Sequence, residues 1–270
     1  MKAAVLGSPI SHSLSPVLHR AAYKALALPH TYEAIEINVE GFGSFIDTLD
    51  DAWLGLSLTM PLKEVAFTVA NVVTDTASLT QSINTLVFAD EIRGENTDVY
   101  GISAAITECV QSSMASGYIL GSGATARSAI MACSELGISS ITLVARNPES
   151  IAICTELAHE LGITFRQITA PDAELNEVDV VINTTPQGVA DQWTMAVRSP
   201  RGVLLDAVYK PHPTELVQAW SLQEGIACPG YNMLLHQAVR QVELMTELLG
   251  PIDAMRDALL TELRNQGTID

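Results

Sequence analysis

The sequence predicts an α/β protein of two domains, with a helical segment at the end of the chain that returns to the first domain. Three observations carry this expectation. Residues 1–98 alternate short apolar strands with amphipathic helices, the pattern of an α/β layer with a largely parallel sheet. A second alternation opens at Tyr118-Ile119-Leu120 and runs through a glycine-punctuated turn into a helix. Beyond Gly230 the pattern is helical only. A chain of 270 residues has room for one or two such domains.

In order, residues 2–7 form a buried strand ending at Gly7, followed by a hydroxyl-rich loop through Ser15. Pro16 suits a first helical turn, with Ser15 as its N-cap, and apolar spacing extends that helix over 16–27. Residues 31–39 read as a strand, 43–49 as a helix, 54–59 as a strand stopped by Pro61, and 63–70 as a helix. Residues 85–88 and 91–95 suggest a hairpin. A helix over 101–114 carries the chain into the second domain. There, helices at 126–136, 150–161 and 213–225 intersperse with strands at 118–120, 141–145, 178–183 and 202–206. Two helices, 232–249 and 251–265, close the chain.

Composition narrows the function classes. Hydrophobic residues make up 48% and charged residues 17%, which is globular rather than disordered composition. The net charge is −17, from 14 Lys+Arg against 31 Asp+Glu. That balance argues against nucleic acid and against an anionic membrane surface, and any site for an anion must defy the global field. No run of 18 apolar residues is present, so no transmembrane helix is expected. Cys109, Cys133, Cys154 and Cys228 lack C-x-x-C or zinc spacing. The first three lie in apolar helix-like stretches, as buried free thiols do, and a reducing cytoplasm fits. None of the six histidines pairs with acids at metal-ligand spacing, so no metal is expected.

Gly121-x-Gly123-x-x-Ala126 follows a strand and opens a helix, the context in which this pattern binds a dinucleotide. The first glycine permits a tight turn, the second a close backbone approach to pyrophosphate, and Ala126 close helix–strand packing. The domain is therefore expected to be Rossmann-like, with the anion held by backbone N–H groups at the helix start. The next strand ends Val144-Ala145-Arg146-Asn147, without the acidic residue that would bind the ribose hydroxyls of NAD. Arg146 offers a guanidinium for a 2′-phosphate, so NADP is expected.

Several further segments, in order along nearly the whole chain, resemble the shikimate dehydrogenase family. They are Gly7-Ser8-Pro9-Ile10-Ser11-His12-Ser13-Leu14-Ser15-Pro16, Leu58-Thr59-Met60-Pro61-Leu62-Lys63, Ser82-Ile83-Asn84-Thr85-Leu86 and Glu95-Asn96-Thr97-Asp98. The Gly121 loop, Ile182-Asn183-Thr184-Thr185, Asp206-Ala207-Val208-Tyr209-Lys210-Pro211 and Gly230-Tyr231-Asn232-Met233-Leu234-Leu235-His236-Gln237 complete the series. The sequence departs from the family pattern at Ser57, where Asn is common, and at Ala145-Arg146-Asn147, where Asn-Arg-Thr is common. It departs again in a loop poorer in glycine after Gly121, and at Pro229-Gly230-Tyr231-Asn232, where Asp-Gly-Leu-Gly is common.

The resemblance implies reversible, NADPH-linked reduction of 3-dehydroshikimate to shikimate, a step of aromatic amino-acid biosynthesis. It implies Lys63 as acid/base with Asp98 as its partner. Ser13 and Ser15 are implied as hydroxyl donors to the substrate carboxylate, a way of holding an anion with neutral groups inside an acidic protein. Thr59, Asn84, Tyr209 and Gln237 are implied as further substrate contacts. Nucleotide contacts are implied for Gly121, Ser122, Gly123, Ala124, Thr125, Ala126, Arg127, Arg146, Asn147, Thr185, Ala207, Gly230 and Met233. Residues 1–98 with 232–270 would bind substrate and 99–231 would bind NADP, in a monomer or a homodimer. The rival readings are an NAD-dependent quinate/shikimate dehydrogenase, which Arg146 opposes, and a nucleotide-sensing module, which would have little reason to keep Lys63 and Asp98.

Overall fold

The computed structural model describes residues 1–269. Two units emerge: Met1–Thr97 together with the chain from Leu234 on, and Asp98–Met233. The expected division fell at 98/99 and 231/232, so Asp98, Asn232 and Met233 lie with the second unit.

In the first unit, β1 (Lys2–Gly7) runs parallel to β2 (Thr31–Glu36) on one side and to β3 (Trp53–Leu58) on the other. Beyond β3 the order continues through β5 (Thr85–Phe88) and β6 (Ile92–Glu95) to the two-residue β4 (Val72–Val73). The expected hairpin is present, and it reverses the sheet: β5 is antiparallel to both β3 and β6. The largely parallel sheet expected from the alternation is therefore mixed, because a tight hairpin can only join antiparallel strands. Both faces of β1 are buried, which is why it reads as a continuous apolar run. Ala4 and Leu6 pack with Phe42, Leu56 and Leu86, whereas Ala3 and Val5 pack with Tyr23, Tyr32 and Met245.

The helices of this unit are α1 (Ser15–Ala25), α2 (Val39–Ile46), α3 (Leu62–Val65), α4 (Asp75–Thr80), most of α9 (Gly230–Thr246), and α10 (Ile252–Asn265), which packs on α1. The expected 63–70 helix is α3 followed by a 3-10 turn over Ala66–Thr68. Ser15 is not the N-cap of α1: Leu14 holds that position without a side-chain bond, and Ser15 N donates instead to Ser13 Oγ at 3.3 Å.

The second unit is a six-stranded parallel sheet ordered β12-β11-β10-β7-β8-β9. Its strands are β7 (Ser116–Leu120), β8 (Ser140–Val144), β9 (Thr164–Ile168), β10 (Val180–Asn183), β11 (Val203–Asp206) and β12 (Ile226–Cys228). Four helices belong to it: α5 (Asp98–Cys109), α6 (Ala124–Glu135), α7 (Pro148–Glu160) and α8 (Glu215–Leu222). Tyr118, Leu120, Val181, Leu204 and Trp220 form its core on one face. Neither β9 nor β12 is among the strands expected from periodicity. All four cysteines are free thiols; Cys109, expected buried, is half-buried at the end of α5. Among the described residues no helix is long and apolar enough to cross a membrane.

Candidate active site

The first unit gathers its polar residues along one edge of its sheet. Parallel strands present their carboxyl ends together, and β5, being antiparallel, presents its start at the same edge: Thr85 pairs with Ser57 on one side and Glu95 on the other. The loop after β1, the turn after β3, Asn84 before β5 and Asn96–Thr97 after β6 therefore share that edge. Backbone bonds tie them: Ser8 N donates to Met60 O at 3.1 Å, Thr59 N to Leu6 O at 2.9 Å and Leu58 N to Asn84 O at 2.7 Å. Ile83 N donates to Lys63 O at 2.9 Å, which fixes Lys63, the second residue of α3, beside Asn84. A side chain at Gly7 would run into Thr59 Cγ2 and Met60 O, so the first loop can leave β1 here only through glycine.

Asn84 is buried and clamped to Thr97. Its Nδ2 donates to Thr97 Oγ1 at 2.9 Å and its Oδ1 accepts from Thr97 N at 2.8 Å. Asp98 follows Thr97 directly and is buried as the first residue of α5. Ser15 is buried and Ser13 half-buried. Because Ser13 Oγ accepts from Ser15 N, the Ser13 hydroxyl proton points to another acceptor, and both serines can donate to one carboxylate. Gln237 lies on α9 with its Nε2 donating to Leu234 O of its own helix at 2.8 Å.

Tyr209 belongs to the second unit, where the nucleotide residues are also found. There β7 lies between β8 and β10, so the connections diverge on its two sides, the switch point at which open α/β sheets bind ligands. Gly121 follows β7 at φ +102°, and a Cβ there would meet Thr184 Oγ1 at 2.7 Å. Gly123 is exposed, and a Cβ there would meet nothing within 4 Å. It caps α6 without a side-chain bond, so that helix start offers backbone N–H groups. Ser122 Oγ is 2.7 Å from Ser150 Oγ, anchoring the loop to α7. Ala124 and Thr125 are half-buried, and Ala126 and Arg127 are buried.

Arg146 is exposed past the end of β8. Asn147 caps α7, its Oδ1 accepting from Glu149 N at 3.0 Å and Ser150 N at 3.2 Å, so its amide can meet a ligand only as a donor. Thr185, after β10, bonds Asn183 Oδ1 through its N at 3.1 Å and its Oγ1 at 2.7 Å. Asn183 in turn donates to Asp206 Oδ1 at 2.9 Å. Burial pushes the Asp206 carboxyl above its ordinary range, against the opposing bonds from Thr214, Val208 and Asn183. Ala207 follows Asp206, and Gly230 passes so close to Asp206 O that a Cβ would overlap it. Met233 is buried on α9. An open helix start, an unfilled glycine cradle and an exposed guanidinium without a neighbouring strand-end acid fit a phosphorylated dinucleotide.

Residues that the sequence did not single out lie beneath the first-unit edge. Gln241 is buried one turn after Gln237, among His19, Tyr32, Ser57 and Thr85. Burial drives the pKa of His19 down to about 3, against the bond to Gln241, so the imidazole is neutral. Because Nδ1 is buried without a partner among the described residues, the ring proton sits on Nε2, which donates to Gln241 Oε1 at 3.1 Å while the ring stacks on Tyr32 at 3.9 Å.

Comparison with known proteins gives the family. Residues 5–86 match the shikimate dehydrogenase substrate binding domain model, and residues 230–260 match the shikimate 5'-dehydrogenase C-terminal domain model. A shikimate dehydrogenase (NADP(+)) from Methanothermobacter thermautotrophicus is 31% identical over 266 residues, covering 94% of each chain. Another, from Methanothrix thermoacetophila, is 34% identical over 266 residues, covering 96% of this chain and 97% of its own. The crystal structure of Mycobacterium tuberculosis shikimate dehydrogenase superposes with a TM-score of 0.89 at 39% identity, covering 97% of this chain and 99% of that one. The Thermus thermophilus shikimate 5-dehydrogenase, solved with NADP(H) and shikimate, gives a TM-score of 0.86 at 27% identity, covering 97% of this chain and 99% of its own. Relatives of this identity, aligned over nearly their whole length, show that the chain belongs to the shikimate dehydrogenase family.

Proposed function

We propose that this protein is a cytoplasmic NADP-dependent shikimate dehydrogenase, interconverting 3-dehydroshikimate and shikimate. The observation that carries the reading is the single sheet edge that collects Ser13, Ser15, Thr59, Lys63, Asn84 and Thr97, with Asp98 next in the chain. In this reading the first unit takes the substrate and the second takes the nucleotide. The loop Gly121–Arg127 at the start of α6 receives the pyrophosphate, and Arg146 with Asn147 receives the 2′-phosphate side. Thr185, Ala207, Gly230 and Met233 line the nicotinamide side.

Bound NADPH supplies a hydride to the ketone carbon. Ser13 and Ser15 hold the substrate carboxylate with hydroxyl donors, while Thr59, Asn84, Tyr209 and Gln237 meet its remaining polar groups. Lys63 donates a hydrogen bond to the ketone oxygen and gives up a proton as that oxygen gains charge; in reverse, the neutral amine takes the proton from the alcohol. Asp98 accepts from the neighbouring ring hydroxyl and orients the ammonium. A pocket built from neutral hydrogen-bonding groups discriminates against analogues lacking a hydroxyl, since its buried partners would be left unpaired.

Oxidation of NADPH on addition of 3-dehydroshikimate tests the reading directly. Turnover with NADPH well above that with NADH is expected. Tight NADPH binding without turnover would favour a nucleotide sensor, and equal rates with NADH together with quinate oxidation would favour a quinate/shikimate enzyme.

A further inference from the structure

Beneath the substrate edge, the first unit holds a run of buried polar side chains whose donors and acceptors follow one direction. Tyr32 O–H donates to Ser57 Oγ at 2.6 Å, and Ser57 O–H donates to Gln241 Oε1 at 2.8 Å. Gln241 Nε2 donates to Thr85 Oγ1 at 3.0 Å, and Thr85 O–H donates to Asn84 Oδ1 at 2.8 Å. Ser57 and Thr85 each accept from one side and give to the other. The direction is set by the Thr97 backbone N–H, which can only donate and faces Asn84 Oδ1 at 2.8 Å: Thr85 O–H must then donate to that oxygen and accept from Gln241 Nε2, which turns Gln241 Oε1 toward Ser57 and His19. His19 Nδ1 is buried without a partner among the described residues, so the ring proton sits on Nε2, and an amide flip at Gln241 would set its N–H₂ against that proton.

The run ends on Asn84 with a chemical consequence. Asn84 Oδ1 accepts from Thr85 Oγ1 and from Thr97 N, both at 2.8 Å, with Thr97 Oγ1 farther off at 3.2 Å. Two donors fill the two lone pairs of an amide oxygen. We infer that Gln241 is a positioning residue that, through Thr85, locks Asn84 as a donor-only contact, so that this side of the pocket recognises a substrate oxygen by its lone pair. A hydroxyl so recognised must send its own proton to another acceptor, and Asp98, which directly follows the Thr97 clamped to Asn84, is the carboxylate the chain places next in line. The inference rests on the proposed function, in which Asn84 touches substrate, and adds to it a residue beneath the pocket that, with Thr97, holds Asn84 in that orientation.

The test is a mutant cycle on shikimate oxidation. Gln241→Met removes the amide while keeping bulk, and is expected to raise KM for shikimate about tenfold, the effect of one lost buried hydrogen bond, with kcat and KM for NADP within about twofold. In an Asn84→Ala background the same substitution is expected to change KM less than about twofold, because Gln241 acts through Asn84. Thr85→Val is expected to reproduce the loss and Thr85→Ser to restore it, and this pair decides the matter should Gln241→Met not fold. If Asn84→Ala alone leaves KM for shikimate unchanged, the proposed substrate site is wrong. If Asn84→Ala raises KM but Gln241→Met has no effect, or its effect persists in full without Asn84, the site stands and the positioning role is overturned.

Discussion

The two units build their polar edges by opposite means. The first relies on side chains: Asn84 and Thr97 hold each other, and a buried run from Tyr32 to Thr85 holds Asn84 from below. The second relies on backbone: Gly121 turns at φ +102°, Gly123 leaves open space, and α6 starts without a side-chain cap. The difference follows from the ligands proposed for each. A ring with several hydroxyls demands donors and acceptors at particular points, whereas a pyrophosphate is met by any convergent set of N–H groups. A site of the first kind fails when a functional group is removed. One of the second kind fails when a carbon is added.

The largest effect is expected from Lys63→Ala. Loss of a general acid/base costs about 10²- to 10⁴-fold, so kcat should fall by that order while NADPH affinity, measured by fluorescence titration, is retained. A folded Lys63→Ala protein with wild-type kcat would remove the side-chain half of the comparison. The backbone half is sharpened by two glycines two residues apart, Gly121 and Gly123. Gly121→Ala forces a side chain into a left-handed backbone and against Thr184 Oγ1, at 2.7 Å, so it should lower unfolding stability by about 1–3 kcal/mol. Gly123→Ala meets nothing within 4 Å, so stability should hold while KM for NADPH rises about tenfold from the methyl occupying the pyrophosphate cradle. Equal unfolding midpoints for the two variants would contradict the assignment of strain to Gly121 alone.

This contrast also explains what was legible in the sequence. The Gly121 loop could be read directly, because strand, glycine turn and helix are contiguous, and the hairpin after Asn84 was legible for the same reason. The start of α7 is legible too: Asn147 as cap, Pro148 at the first position and Glu149 in the first turn are the standard signals, whereas apolar spacing alone starts that helix at 150. Strand β9 pairs only with β8 and is largely exposed, so its Thr-Phe-Arg-Gln-Ile run carries little burial signal. Ser15 reads as a cap because a hydroxyl residue precedes Pro16, yet it is already the first residue of α1. Gln241 was out of reach altogether. Its partners Ser57 and His19 lie 184 and 222 residues away, and alone it reads as an ordinary polar helix residue. Backbone sites are written locally, whereas buried side-chain networks are written across the chain.

A smaller effect is expected at Arg146, which meets its proposed ligand on an exposed strand end. Arg146→Ala should remove a charge-assisted contact of about 1.5–3 kcal/mol, a loss of roughly 10- to 150-fold in kcat/KM for NADPH, with kcat/KM for NADH unchanged. Equal losses with both nucleotides would assign Arg146 to the adenine or pyrophosphate instead.

The smallest effect belongs to the buried network and reads out as pH dependence. His19 is fully buried, and desolvation lowers its pKa from 6.5 to about 3 even though the bond to Gln241 opposes the shift. The unfolded chain therefore binds a proton near pH 6.5 that the folded chain refuses until about pH 3. The sign is fixed by linkage: this contribution is fully present above the unfolded pKa and is lost as pH falls from about 6.5 toward 3. At pH 5.5 the loss from this one group is about 1.4 kcal/mol relative to neutral pH. Denaturant titrations at pH 7.5 and 5.5 should show the drop, and His19→Gln, which cannot be protonated, should shrink it. The decisive measurement is NMR of the imidazole: a neutral ring with its proton on Nε2 at pH 5 keeps Gln241 oriented, whereas a ring that titrates near 6.5 would mean the network is open to water and cannot hold Asn84 in one direction.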